Sequence, residues 1–492
     1  MAVLSIDAGT SGVTALIINE SGQVLSRGHD EFPQHFPQDG WVEHAPDQIW
    51  SSVLAAVGRA LQATSEPPTV LGITNQRETV VLWDREALTA PRPAIVWQDR
   101  RSSGICEQLR QDGHEDLVRE VSGLRLDPYF SATKMSWVRD HEAEIWKGVL
   151  DGRIVFGTVD SYLIARMTGG RLHVTDASNA SRTLLFDLRT CEWSAQLCDL
   201  FGIPINRLPQ VVPSFGVLGQ TDPDSFLGLA IPIAGVAGDQ QAALFGQTCF
   251  APGTTKCTYG TGSFVLTNTG STIVSAQSGL LTTVAWVAPD GSTTYALEGS
   301  IFVTGAAVQW LRDGLKILDN ADDSETLARS VPDSGGVVFV PALTGLGAPD
   351  WDPAARGAIF GITRATTRGH IARATLDAIA FEVRDVVDLM TEEAQVAVPS
   401  LAVDGGGCAN NLLCQLQADE LGIPVLRPTV IDTTALGAAF LAGLGSGVWS
   451  SIDELSDTWQ LQRQFDPEPR DERAHRRWRS AVGRTTGWAA DP

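Results

Sequence analysis

Two features that define whole classes of proteins are missing from this sequence of 492 residues. No apolar run reaches the roughly 18 residues that a helix needs to cross a bilayer. A basic amino-terminal stretch with a cleavage-site pattern is also lacking, because an apolar, strand-like segment begins at residue 2. We therefore expect no secretory leader and no insertion into a membrane.

Paired cysteines and an excess of basic residues are missing as well. The seven cysteines are scattered, odd in number and without CxxC spacing, which argues against a zinc site or a disulfide framework. A reducing, cytoplasmic setting is the expectation. The 36 Lys and Arg residues face 58 Asp and Glu residues, for a net charge of −22. Such an acidic chain is not expected to bind nucleic acid.

What the chain does contain is a strand–Asp–Gly pattern that occurs twice. An apolar strand runs into Asp7 near the start, and another runs into Asp404 near the end. A chain of this length is too long for one core, and its composition changes around Pro252. We predict two related halves, 1–250 and 251–492, that enclose a cleft. Apolar periodicity predicts helices over 306–318, 369–390 and 410–421.

The glycine turns are candidate phosphate sites. Backbone without a Cβ can approach a phosphate closely and direct its N–H groups at the oxygens. The turn at 9–12 adds two hydroxyls, and the preceding Asp7 can hold Mg²⁺ through water. Neither the P-loop spacing nor the GxGxxG spacing is present. Read alone, each turn is more typical of a hairpin that binds nothing than of a phosphate site.

The run GVAGDQQAALFG at 235–246 places one carboxylate at the junction of a strand and a helix. Two roles are open for Asp239. It can be a helix N-cap, a common use of aspartate. It can also be a general base for a hydroxyl group, since the positive end of the helix favours an ionised carboxylate.

Several long motifs together resemble the glycerol kinases of the FGGY carbohydrate kinase family, from about residue 2 to about residue 450. They are GWVEH (40–44), ITNQRET (73–79), IVWQDRR (95–101), DPYFS (127–131), GDQQAALFG (238–246), YGTG (259–262), QWLRD (309–313), GLGAP (345–349) and DGG (404–406). The resemblance implies an α/β fold of two actin-like (ribonuclease H-like) ATPase domains that flank a catalytic cleft. It also implies ATP-dependent phosphorylation of glycerol to sn-glycerol 3-phosphate.

The resemblance further implies which residues form the polyol site. Asp239 is expected to act as general base, and the remaining positions are expected to contact hydroxyls or to cover the carbon side of glycerol. The implied substrate-binding residues are Arg77, Glu78, Trp97, Tyr129, Asp239, Gln240 and Phe264. Carboxylates, a guanidinium and an amide can together satisfy the donors and acceptors of a triol.

The implied cofactors are ATP and Mg²⁺, with Asp7 as the residue that orients the metal. The implied nucleotide-binding residues are Thr10, Ser11, Gly12, Thr261, Gly305, Gln309, Gly406 and Asn410. Members of the family are commonly dimers or tetramers, so a homodimer or homotetramer is expected.

One position departs from the family pattern, because Thr14 stands where an arginine that contacts ADP is often found. Two alternatives to a glycerol kinase are retained, although the matched substrate positions argue against the first and the presence of Asp239 argues against the second. One is a kinase for another small polyol or ketose, and the other is a non-catalytic polyol-binding protein on the same fold.

Overall fold

The structure, a computed structural model, describes residues 1–489, so the last three residues of the predicted second half lie outside the described residues. Within this range, none of the helices combines the length and the apolar character needed to span a bilayer.

The first part of the chain, up to Gly246, alternates strands and helices. Its strands are β1 (Ala2–Ala8), β2 (Gly12–Asn19), β3 (Val24–Glu31), β4 (Glu43–His44), β5 (Pro68–Asn75), β6 (Val81–Asp84), β7 (Ala94–Ile95), β8 (Ile154–Gly157), β9 (Val174–Asp176), β10 (Phe186–Asp187), β11 (Glu192–Trp193), β12 (Gln210–Val212), β13 (Phe215–Gln220) and β14 (Pro232–Gly238). Its helices are α1 (Pro46–Gln62), α2 (Ser103–Gln111), α3 (Glu115–Ser122), α4 (Ser131–His141), α5 (Ala143–Asp151), α6 (Val159–Met167), α7 (Ala177–Ala180), α8 (Ala195–Phe201) and α9 (Asp239–Gly246), with a 3₁₀ turn at Ile205–Arg207.

The second part of the chain, from Thr255 onward, also alternates strands and helices. Its strands are β15 (Thr255–Tyr259), β16 (Ser263–Gly270), β17 (Leu281–Val287), β18 (Thr293–Ile301), β19 (Val338–Val340), β20 (Ala358–Phe360), β21 (Leu401–Asp404), β22 (Val425–Pro428) and β23 (Leu461–Phe465). Its helices are α10 (Gly305–Asp313), α11 (Asp323–Ala328), α12 (Arg368–Ala394), α13 (Asn411–Leu421), α14 (Thr433–Ser446), α15 (Ile452–Thr458) and α16 (Glu472–Val482), with a 3₁₀ turn at Gly406–Ala409.

Two large sheets share one connection pattern. The six-stranded sheet has the order β13-β14-β5-β1-β2-β3, and the seven-stranded sheet has the order β17-β18-β16-β15-β21-β22-β23. In the first sheet, β1, β2 and β3 form an antiparallel meander, while β5 and β14 add in parallel beside β1. In the second, β15, β16 and β18 form the meander, while β21 and β22 add in parallel beside β15. The two large sheets thus repeat one topology, while the division of the chain into two halves at residue 250 stays a prediction.

Helix α14 belongs to the second part of the sequence but packs against α9 and the strands β14 and β5 of the first sheet. Its sequence, TTALGAAFLAGLGS, consists mostly of small residues. A Cβ at Gly437 would overlap the carbonyl of Ala242 in α9, so glycine is what permits the close approach of the two helices. The first sheet is thereby covered on this face by apolar residues from both parts of the chain.

Three helices were predicted from periodicity, and the structure contains all of them. Helix α13 starts one residue after the predicted Asn410, whose side chain caps it by accepting from the N–H of Leu413 at 2.9 Å. Helix α12 includes the whole of 369–390. The prediction of a helix through 318 was wrong at its end, because α10 stops at Asp313. Gly314 follows, and glycine is a poor helix former.

Candidate active site

The site begins where two neighbouring parallel strands end. Strands β5 and β14 pair in parallel, with Asn75 opposite Gly238. Ligands of open α/β sheets bind beyond the carboxyl ends of such strands. Arg77 and Glu78 follow β5, and Asp239 follows β14, so residues far apart in sequence meet at one sheet edge.

Asp239 is the first residue of α9, and Gly238 takes the N-cap position. The N-cap alternative for Asp239 is therefore wrong. Its Oδ1 accepts from the N–H of Gln240 at 2.7 Å and lies 3.1 Å from Nε of Arg77. Burial raises the pKa of Asp239, while Arg77, Lys256 and the Gln240 N–H limit that rise. A carboxylate of raised pKa is a better proton acceptor than an ordinary one.

Arg77 is buried, and each of its three guanidinium nitrogens has a partner. Its two terminal nitrogens donate to the carboxylate of Glu298 at 2.5 and 3.0 Å, and one of them lies 3.4 Å from the hydroxyl of Tyr129. Its Nε pairs with Asp239, as described above. The guanidinium is thus held in one orientation between two carboxylates, one from each part of the chain.

Glu78 is held in an unusual backbone conformation. Its φ is 60°, in the left-handed region that residues with a Cβ rarely adopt. The buried Arg182 donates from Nε to its Oε1 at 2.7 Å. Burial raises the pKa of Glu78, although Arg77 and Arg182 oppose the shift. A conformation of this cost persists where surrounding contacts enforce it, and such positions are concentrated at functional sites.

Glu298 and Arg182 are site residues that sequence reasoning missed. Glu298 lies in β18 and is fully buried, and Arg182 donates to it at 2.8 Å. Burial disfavours its charge, but Arg182 and Arg77 together lower the pKa of Glu298 to about 2. The available signal was one acidic residue inside the otherwise uncharged segment TTYALEGSI.

Three aromatic side chains wall the same space. The ring centroids of Trp97 and Phe264 are 6.3 Å apart, and those of Trp97 and Tyr129 are 5.6 Å apart. The guanidinium of Arg77 lies 5.7 Å from the centroid of Phe264. A small molecule at this place would therefore meet apolar faces on one side and charged groups on the other.

The first glycine turn lies next to this wall. Nε1 of Trp97 donates to Oγ1 of Thr10 at 2.9 Å, which joins the aromatic wall to the turn between β1 and β2. The turn closes through the N–H of Gly9 and the carbonyl of Gly12 at 3.0 Å. Ser11 accepts from the N–H of Phe32 through its carbonyl. The structure thus brings Thr10, Ser11 and Gly12 to the same side of the cleft as Trp97.

Asp7, at the end of β1, has the properties of a cation ligand. Among residues 1–489, its buried Oδ1 has no hydrogen-bond partner. Burial and the nearby charges of Asp239 and Asp432 raise the pKa of Asp7 to about 8. A bound cation would relieve both the missing partner and the repulsion. Within the same residues no group of three or more His, Cys, Asp or Glu side chains could hold a metal.

In the second sheet, two parallel strands again end side by side, and glycine-rich turns follow them. Strands β15 and β21 are parallel, with Thr258 opposite Asp404, so the YGTG and DGGG turns lie side by side. A Cβ at Gly407 would lie 2.8 Å from the Cβ of Tyr259, so a side chain there would force the turns apart.

These turns open into a cavity of about 550 Å³. The expected nucleotide-binding residues among its lining are Thr261, Gly305, Gln309, Gly406 and Asn410. The structure therefore brings together five of the eight expected positions, while Thr10, Ser11 and Gly12 belong to the other turn. A cavity of this volume is in the range of sites for small molecules and cofactors.

Two sheets of the same topology enclose a cleft, with a half-buried carboxylate, Asp239, beside one sheet and a ligand-sized cavity at the other. This arrangement fits a phosphotransferase. Comparison with known proteins agrees. The chain matches the FGGY family of carbohydrate kinases, N-terminal domain, over residues 2–246 and the C-terminal domain of that family over residues 255–446. This chain belongs to the FGGY family of carbohydrate kinases.

Relatives cover the chain from end to end. It is 51% identical to glycerol kinase 2 of Thermotoga maritima and 52% identical to the glycerol kinase of Aromatoleum aromaticum, in each case over 99% of both chains. Among solved structures, the glycerol kinase of Plasmodium falciparum with ADP matches with a TM-score of 0.90 and 34% identity, over 98% of both chains. The gluconate kinase of Lactobacillus acidophilus, 20% identical, has the same fold with a TM-score of 0.85.

Proposed function

We propose that this protein transfers the γ-phosphoryl group of ATP to glycerol and forms sn-glycerol 3-phosphate. The observation that carries the proposal is the meeting of Asp239, Arg77 and an aromatic wall at the ends of β5 and β14. Identity of about half the residues with full-length glycerol kinases supports the choice of substrate.

In this proposal glycerol lies between the aromatic pair and the charged cluster. Trp97 and Phe264 cover its carbon side, while Arg77, Glu78, Tyr129 and Gln240 bind hydroxyls. The hydroxyl of Tyr129 is 3.4 Å from Arg77, so one glycerol oxygen can contact both groups. Asp239 accepts the proton of the attacking hydroxyl through its carboxylate.

The phosphates of ATP are proposed to lie between the glycine turns, with adenosine in the 550 Å³ cavity. Thr10, Ser11 and Gly12 are proposed to face the transferred phosphate from one side and Thr261 from the other. Gly305, Gln309, Gly406 and Asn410 are proposed to contact the nucleoside. Asp7 is proposed to orient Mg²⁺, which when bound neutralises phosphate charge. Positioning and neutralisation provide most of the catalysis in phosphoryl transfer.

The boundary between domains is proposed near residue 250, supported by sheets that draw their strands from residues 2–238 and 255–465. A cytoplasmic location is proposed because the seven cysteines are free thiols in the described part of the chain. A homodimer or homotetramer is proposed from the family resemblance. Light scattering on the purified protein distinguishes these states from a monomer.

A coupled assay of ADP release tests the activity. Glycerol, dihydroxyacetone, erythritol and xylulose are compared at saturating ATP and Mg²⁺. The expected result is the highest kcat/KM with glycerol. A higher value with another substrate would identify a kinase for that compound, and no turnover with any of them would favour a polyol-binding protein without catalysis.

A further inference from the structure

A buried lysine in β15 contacts a proposed substrate residue, yet the proposed mechanism makes no use of it. Lys256 has none of its surface exposed, and a buried amine must find partners for its donors. It stands on the strand that leads into the YGTG turn, and it reaches back across the cleft to α9.

The contacts of Lys256 use all of its donors. Its Nζ donates to Oε1 of Gln240, to Oγ1 of Thr258 at 2.8 Å and to the carbonyl of Phe264 at 3.4 Å. Two of these partners lie on the second sheet, and the third lies on the helix that begins with Asp239. Lys256 therefore ties the amide of Gln240 to a rigid pair of strands.

This contact decides which end of the Gln240 amide is available. A glutamine carries one acceptor oxygen and one donor NH₂ group, and an ammonium group can only donate. The oxygen must therefore face Lys256, and the NH₂ group must face the other way. Within residues 1–489, Nε2 of Gln240 donates to no protein acceptor, so this donor is open to a ligand.

We propose that Lys256 is a positioning residue that presents Gln240 to the polyol as a hydrogen-bond donor. The inference rests on the proposed function. A hydroxyl that accepts from Gln240 keeps its own proton free to donate, and the neighbouring carboxylate of Asp239 is an acceptor. Lys256 thereby fixes the direction of the hydrogen bonds around the substrate without touching it.

The test is Lys256→Met, which keeps an unbranched side chain and removes the donors. Losing one oriented hydrogen bond is expected to raise KM for glycerol by roughly three- to tenfold. KM for ATP is expected to stay within about twofold, because the adenosine cavity does not include Lys256. The variants are compared at a pH well above the acidic limb, because the charge of Lys256 also limits the rise in the pKa of Asp239. Lys147→Met, at an exposed lysine on α5, is the matched control and is expected to leave all constants unchanged.

A double-mutant cycle separates positioning from general damage. Gln240→Leu removes the amide, so adding Lys256→Met to it is expected to raise KM for glycerol no further. Lys256→Arg, which retains a positive donor, is expected to fall closer to the unaltered enzyme. Additive effects of Lys256→Met and Gln240→Leu would overturn the proposal, as would an unchanged KM for glycerol in Lys256→Met.

A third variant covers the case in which Lys256→Met does not fold. Gln240→Glu keeps an oxygen for Lys256 but replaces the NH₂ group by a second oxygen, so it is expected to raise KM for glycerol as Gln240→Leu does. An unchanged KM in Gln240→Glu would overturn the donor assignment. Failure of the unaltered enzyme to phosphorylate glycerol would instead refute the proposed function itself.

Discussion

Replacement of Asp239 by asparagine is the sharpest test of the proposed general base. Oδ1 of Asp239 accepts from the N–H of Gln240 at 2.7 Å and lies 3.1 Å from Nε of Arg77. The amide oxygen of an asparagine can keep both contacts, so the local geometry is expected to survive. What the variant loses is the ability to take up a hydroxyl proton.

The expected loss follows from what a positioned base contributes. General-base catalysis supplies about 10²- to 10⁴-fold, and kcat of Asp239→Asn is expected to fall by that factor. The factor corresponds to about 3–6 kcal/mol in the barrier at roughly 1.4 kcal/mol for each tenfold change. KM for ATP is expected to change little, because the adenosine cavity is lined by residues 259–413 of the second part of the chain.

The pH dependence of the unaltered enzyme adds an independent readout. Burial raises the pKa of Asp239 above its ordinary value of 3.8. A base must be unprotonated to act, so kcat/KM is expected to fall as the pH drops through this raised pKa. The acidic limb should therefore lie above pH 3.8, and it should disappear in Asp239→Asn. Saturating Mg²⁺ is needed throughout, so that titration of Asp7 does not contribute.

Asp224→Asn is the matched control, since Asp224 is exposed. Its rates and its pH profile should equal those of the unaltered enzyme. If Asp239→Asn retained more than a tenth of kcat, or kept the acidic limb, Asp239 would not be the base.

Three further predictions concern groups around the site. Glu298→Ala leaves two buried guanidinium groups without their shared carboxylate and is expected to destabilise the protein by about 3–5 kcal/mol, read from the midpoint of urea unfolding. In the unaltered protein burial opposes ionisation of Glu298, but Arg182 and Arg77 lower the pKa of Glu298 to about 2. This stabilisation is therefore complete above pH 4.5 and is lost as the pH falls toward 2. An unchanged urea midpoint in Glu298→Ala would contradict a stabilising role for this ion-pair network. Asp7→Asn is expected to raise Tm in the absence of Mg²⁺, because burial raises the pKa of Asp7 to about 8 and ionisation therefore destabilises the folded state as the pH rises from 3.8 toward 8. Asp7→Asn should also lose most of its activity at saturating Mg²⁺. A Tm below that of the unaltered protein, measured without Mg²⁺, would show that the Asp7 carboxylate stabilises the site without a bound cation. Thr14→Arg places a cation on β2 beside the first turn and is expected to lower KM for ATP several-fold in the ADP-release assay, whereas an unchanged KM would mean that Thr14 does not limit nucleotide binding.

The parts of the site that could be predicted are those encoded locally. A strand that ends in Asp and Gly, or a helix that begins after a glycine, leaves a pattern within about ten residues, and Asp7, Asp239 and Asp404 all lie in such patterns. Glu298, Arg182 and Lys256 could not be found in that way. Glu298 is 221 residues from Arg77 along the chain and 116 from Arg182. Their partners become neighbours only once the two sheets are assembled.

The duplicated topology explains why one chain can hold both reactants. In each sheet, two parallel strands end side by side, at Asn75 and Gly238 in the first and at Thr258 and Asp404 in the second. The same backbone geometry therefore offers two places beyond strand ends where a ligand can bind. The residues at these two sheet edges differ. The first edge carries Arg77, Glu78 and Asp239, groups suited to hydroxyls, whereas the second carries consecutive glycines, suited to close approach by a phosphate. Because Glu298 and Phe264 reach from the second sheet into the first site, that site is completed only when both sheets are in place.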